Sequence, residues 1–170
     1  MRLLAEERQA GTLTLLETAP ISETQIVLGK FLGGFAFLSL VTLLTIYMPL
    51  LIQVNGKVSW GQIGAGYLGL LSLGGATIAI GTFGSALARN QLLAAVLGAG
   101  ILVVMLLGWM LARVTEAPFS GVLSYSALFD RHFQPFMRGR INTESLLFYG
   151  SVTFVFLLLS VRTLQLRRWQ

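Results

Sequence analysis

The sequence predicts an all-α, polytopic transmembrane helix bundle with four spans, and three observations carry that expectation. Hydrophobic residues make up 55% of the 170 positions and charged residues only 11%, with a mean hydropathy of +0.76. That is too apolar for a single soluble core. The charges are segregated, leaving 26 uncharged residues between Lys30 and Lys57, 31 between Lys57 and Arg89, 23 between Arg89 and Arg113, and 17 between Glu144 and Arg162. A helix rises about 1.5 Å per residue and a bilayer core is about 30 Å thick, so about 20 apolar residues suffice to cross it.

The chain is expected to form one membrane domain over 1–170. Residues 1–21 are a charged amphipathic segment that feeds directly into an uncharged run. Laid against a membrane, such a segment is positioned to receive force from a soluble partner, or to serve only as a surface anchor. The first span, 22–53, has a marked start. Pro20 stops what precedes it, and Ser22-Glu-Thr-Gln25 fits a capping box, with Ile21 and Ile26 at hydrophobic-staple spacing. A helix from Ser22 to Gln53 is about 45 Å long, so turns including Lys30 should protrude or tilt. Pro49 removes a backbone hydrogen bond near its far end and should kink it.

The second span, 60–88, is rich in small residues. Gly61, Ala65 and Gly69 recur every four positions, as do Thr77, Gly81 and Ser85, so each trio forms a stripe where another helix can approach closely. Ordinary packing within the bundle and a moving or dimer-facing surface both fit that pattern. The third span, 90–112, has no hydroxyl or amide side chain over 92–112 and is either lipid-facing or packed through Gly98, Gly100 and Gly108.

Residues 118–140 are expected to form an outer interfacial helical hairpin. Pro118 opens a short helix, Phe129, Phe133 and Phe136 give one aromatic face around a break at Pro135, and Gly139 allows a turn. Asn142 caps a final span over 142–162. Its 17 uncharged residues reach only about 26 Å, but Asn142 and Thr143 extend it at one end and Arg162 snorkels at the other. Residues 163–170 form a basic tail.

With both termini on one face, that face holds seven Lys and Arg and the other five, which points to cytoplasmic termini. The net charge of +5 follows from this membrane bias rather than from nucleic acid, since no basic run is interleaved with aromatics. The chain has no cysteine and a single histidine, His132. Neither a metal nor a cofactor is expected, and His132 reads as a solvated or interfacial side chain rather than a catalytic base. No Asp, Glu, Lys, Arg or His falls within the apolar length of a span, whereas proton relays, ion-coupled carriers and intramembrane hydrolases normally need such groups there. Gly29-Lys30 lacks the surrounding pattern of a phosphate loop, so ATP hydrolysis is not expected of this chain.

The run Glu6-Glu-Arg-Gln-Ala-Gly-Thr-Leu-Thr-Leu-Leu-Glu-Thr-Ala-Pro-Ile-Ser22, continued by Gln25-Ile-Val-Leu-Gly-Lys30, resembles the cytoplasmic motif of ABC transporter permeases of the type-2 exporter family. It is most similar to the branch of gliding-motility-associated permeases and the copper-maturation permease of nitrous oxide reductase. The stretch His132-Phe-Gln-Pro-Phe-Met-Arg-Gly-Arg-Ile-Asn-Thr-Glu-Ser-Leu-Leu-Phe-Tyr149 and the end Arg-Arg-Trp169 are similar to the C-terminal part of that branch. The resemblance implies a permease subunit in a bacterial cytoplasmic membrane, partnered by an ABC ATPase and by a second permease copy or homologue within the lipid bilayer.

It implies further that Glu6, Glu7 and Arg8 present charge to the ATPase and that Gly11 and Thr12 allow a turn. Leu16 would hold the segment down, while Pro20 and Ser22 set the angle of the first span. Family permeases usually carry two spans before the motif, so the chain is expected to be either truncated or a short form. A membrane scaffold in a surface or motility complex is the alternative role. The substrate is not readable from these residues.

Overall fold

The computed structural model describes residues 22–55, 59–88, 90–115 and 119–168. Glu6, Glu7, Arg8, Gly11, Thr12, Leu16, Pro20 and Pro118 lie outside the described residues, as does the proposed coupling segment as a whole. The described residues form seven helices and no strand: α1 (Glu23–Leu44), α2 (Tyr47–Asn55), α3 (Trp60–Leu87), α4 (Gln91–Val114), α5 (Phe119–Ser126), α6 (Gln134–Met137) and α7 (Thr143–Arg168). Among the described residues four helical stretches are long and apolar enough to cross a membrane: Glu23–Val54, Trp60–Leu87, Gln91–Met110 and Thr143–Leu166. The chain is therefore an all-α, multi-pass membrane protein. The short final run is resolved by α7 continuing through Arg162, giving 26 residues, or about 39 Å.

Each boundary has a local cause. Ser22 and Gln25 form the reciprocal capping box: the Ser22 amide donates to Gln25 Oε1 at 3.0 Å, and the Gln25 amide donates to Ser22 Oγ at 3.3 Å. The first span is broken by a turn at Thr45 and Ile46, one turn before Pro49. A proline ring clashes with the carbonyl four residues earlier, here that of Thr45, so the helix fails there rather than at the proline itself. The amides of Thr45, Ile46 and Met48 then bond three residues back, to Thr42, Leu43 and Thr45. Asn90 caps α4 through a 2.8 Å bond from the Leu93 amide to its Oδ1. Asn142 sits at the cap position of α7, its carbonyl accepting from Ser145 and Leu146.

The described residues fall into two compact units. The first holds 22–35, 76–88, 90–104 and 151–168; the second holds 36–55, 59–75, 105–115 and 119–150. The first unit packs through small side chains, with Ala76, Ala79, Ile80, Ala86, Ala88 and Ala94 fully buried. A Cβ added to Gly84 would lie 2.7 Å from the Gly98 Cα and 2.8 Å from its nitrogen, so the α3 and α4 backbones touch at this pair. Phe83 meets Phe156 edge-on, with ring centroids 5.6 Å apart. In the second unit the Leu38 side chain packs over Gly74, and Phe136 fills the space beside Gly69, where a Cβ would lie 2.7 Å from the Phe136 Cβ.

Five hydroxyls on the spans are satisfied locally. Thr42, Ser72, Thr82, Ser160 and Thr163 each donate to the carbonyl four residues back, at 2.7 to 2.8 Å. The first span is the least buried element: of α1, only Val27 is buried, while Phe37 is 70% exposed. Apolar residues around the whole circumference are the mark of a helix solvated by lipid or another membrane helix.

Candidate functional site

The first unit contains the point where residues 1–21 join the membrane helices. Ser22 is exposed, and its capping box holds the first turn of α1 helical at the residue that follows the charged segment. Beside it, α1 and α7 enclose a groove of about 400 Å³ lined by Val27, Leu28, Phe154, Leu158 and Val161, with Thr24 and Arg162 among its polar members. The groove is an apolar surface with one cation, suited to holding an aliphatic chain. It has no acid, base or nucleophile set for chemistry.

The small-residue positions on α3 do not behave alike. Ala65 and Gly69 are buried in the second unit, with Gly69 beneath Phe136, whereas Gly61 has nothing within 4 Å of an added Cβ. In the first unit Gly81 and Ser85 are buried and Thr77 is half-buried. A close backbone approach there is made by Gly84, outside both expected trios, against Gly98. On α4, Gly108 is buried and Gly100 has open space. Spacing along one helix identifies a stripe, but only the partner helix decides which members are covered.

The second unit contains the loop site. Residues 128–133 form turns, and the following helix α6 is only four residues long. The expected single aromatic face is therefore divided. Phe129 is 40% exposed and stacks on Phe133 with centroids 5.2 Å apart, whereas Phe136 is fully buried against Gly69. Pro135 opens α6 rather than breaking a helix, because its missing amide falls in a first turn where no helical partner exists. Gly139 has φ +75° and would place a Cβ 3.2 Å from the Gln62 Cα, so both the turn and the close approach call for glycine. Gln62 Nε2 donates to the Met137 carbonyl at 3.0 Å, fastening this turn to α3.

His132 is not solvated. It is 1% exposed, its ring lies parallel to Phe148 with centroids 3.8 Å apart, and the rings of Tyr125 and Tyr149 meet it edge-on. Its Nε2 lies 3.1 Å from the Tyr125 carbonyl, which can only accept, so Nε2 carries the proton. Burial pushes the His132 pKa below 6.5; the Tyr125 carbonyl opposes that shift and the nearby Arg131 adds to it. The reason for the burial is α7, whose Phe148 and Tyr149 cover the turn. Tyr149 also donates its hydroxyl to the Leu128 carbonyl at 2.6 Å, and the Leu128 amide donates to the Met105 carbonyl at 3.0 Å. Both backbone groups of a fully buried turn residue are thus satisfied.

Sequence reasoning passed over Tyr125, Phe148 and Tyr149; an aromatic pair beginning the last span was the available signal. Among the described residues no group of His, Asp and Glu is arranged to hold a metal ion. No curated protein and no solved structure matches the chain. A family model described as ABC-2 family transporter protein matches residues 1–164. Nearly the whole length is covered, and the described residues include four helices long and apolar enough to cross a membrane, so the protein belongs to the ABC-2 transporter family as a multi-pass permease component.

Proposed function

We propose that this chain is the membrane subunit of an ABC-type exporter, driven by ATP hydrolysis in a separate nucleotide-binding subunit. In this reading Glu6, Glu7 and Arg8 contact that subunit, Gly11 and Thr12 turn the segment, and Leu16 and Pro20 hold and angle it. Ser22 passes its displacement to α1. The observation that carries the reading is the start of α1: a reciprocally capped first turn at the end of the charged segment, on a helix of which only Val27 is buried. A stiff first turn transmits a push as tilt, and a helix with few buried contacts resists tilting least.

The same exposure of α1 leaves a face for a second permease copy or homologue. The protein is assigned here to the gliding-motility and nitrous-oxide-reductase-maturation branch, in a bacterial cytoplasmic membrane with both termini in the cytoplasm. The test is co-purification with the candidate ATPase, comparing wild type with Glu7→Lys. Wild type should retain the ATPase and stimulate its hydrolysis, while the variant inserts normally but retains less. Equal retention by both refutes the assignment of Glu7, and retention by neither refutes the coupling.

A further inference from the structure

Two pockets adjoin in the second unit and share Asp130 and Arg131. The larger, about 500 Å³, has Trp109, Arg113, Ser120 and Ser124 in its walls. The smaller, about 230 Å³, is formed by the turn region with Gln134, Arg138, Arg140 and Asn142. Four arginines therefore meet one carboxylate across the pair of pockets, and that carboxylate is already engaged, since Asp130 accepts from Gln134 Nε2 at 3.0 Å. Arg138 donates to the neutral Gln134 Oε1 at 3.4 Å, and Arg131 forms a half-exposed pair with Glu144 at 3.6 Å. Among the described residues, neither Arg138 nor Arg140 forms an ion pair.

The backbone that carries these two arginines is fixed. The Arg138 amide bonds to Gln134 and Pro135, the Gly139 amide to Phe136, and the Arg140 amide to Pro135 at 2.9 Å. Gly139, between them at φ +75°, abuts Gln62. The guanidinium pair is presented from a built turn, which lowers the ordering cost of gripping an anion. Guanidinium forks match phosphate oxygens bidentately, and three of them around one small pocket exceed what a carboxylate can accept.

We propose that the smaller pocket binds a phosphate ester through Arg131, Arg138 and Arg140, with the hydroxyl-bearing group attached to that phosphate lying in the larger pocket against Ser120, Ser124 and Arg113. A phospholipid headgroup and a soluble phosphorylated polyol share this chemistry. The site does not depend on whether the chain transports anything, nor on which side of the membrane the turn lies.

The test is native mass spectrometry of the full chain reconstituted with equal phosphatidylglycerol and phosphatidylcholine. Wild type should retain phosphatidylglycerol preferentially, less so at high salt. Arg138→Gln/Arg140→Gln should retain at least about tenfold less, since losing even one charge-assisted hydrogen bond has about that effect. Asp130→Asn, which keeps an acceptor for Gln134 but removes the competing charge, should retain more. Displacement of the lipid by sn-glycerol 3-phosphate assigns the site to soluble phosphate esters; failure to displace it assigns the site to headgroups. Opposite shifts in the two variants cannot come from misfolding of either. Equal retention by wild type and both variants overturns the proposal.

Discussion

Replacing Gly84 by alanine tests whether the α3 and α4 backbones meet at this residue. The new Cβ would stand 2.7 Å from the Gly98 Cα and 2.8 Å from its nitrogen, where ordinary contact begins at 3.4 Å. The shortfall is about 0.7 Å, on the van der Waals scale where even half an ångström is energetically large. Both opposing atoms are backbone, so no side chain can rotate away and the helices themselves must part. Overpacking of this kind costs about 1–3 kcal/mol. Alanine returns up to about 1 kcal/mol through helix propensity. The net expectation is a loss of about 1–2 kcal/mol, or roughly 2–8 °C in Tm for a chain of this size.

Gly100→Ala on α4 supplies the contrast. Nothing lies within 4 Å of its added Cβ, so only the propensity gain of about 1 kcal/mol operates and Tm should hold or rise. The assay is thermal denaturation of both variants in one detergent, read by fluorescence-detected size exclusion. If Gly84→Ala is as stable as Gly100→Ala, the crossing is not backbone-on-backbone and the argument fails.

Tyr149→Phe should cost about 1–2 kcal/mol, because it strands the buried Leu128 carbonyl that the hydroxyl serves; an unchanged Tm would deny that bond its role. Because burial lowers the pKa of His132 in the folded state, the unfolded chain binds more protons below pH 6.5. The stability this residue contributes is therefore complete above pH 6.5 and declines as pH falls toward the folded pKa. The Tm of wild type should drop more between pH 7.5 and 5 than that of His132→Phe, and parallel curves would contradict the burial. Ser22→Ala removes one side of the capping box at a cost of about 1 kcal/mol. Hydrogen exchange should quicken at residues 23–26 and stay unchanged at the cap of α4, where Asn90 acts independently.

The spans were legible because charge placement reports the bilayer directly: Lys30, Arg89, Arg113 and Arg162 all fall at or near the ends of apolar runs that are helices in the structure. Ser22 and Gln25 were legible because a capping box is complete within four residues. The break before Pro49 was foreseen in kind but set one turn late, since the clash acts on the carbonyl four residues earlier. Of the solvated and interfacial readings of His132 the solvated one fails, because its cover comes from Phe148 and Tyr149, on a different element, and nothing local to residue 132 signals them. Gly84 was missed for a related reason. Its importance rests on Gly98 of another helix, and periodicity within α3 cannot choose among neighbouring glycines.

The hydroxyls of Thr42, Ser72, Thr82, Ser160 and Thr163 all turn their protons back onto their own helices. Each of these polar groups crosses an apolar medium without asking a neighbouring helix for a partner. A span that shifts or tilts can therefore do so without breaking these bonds.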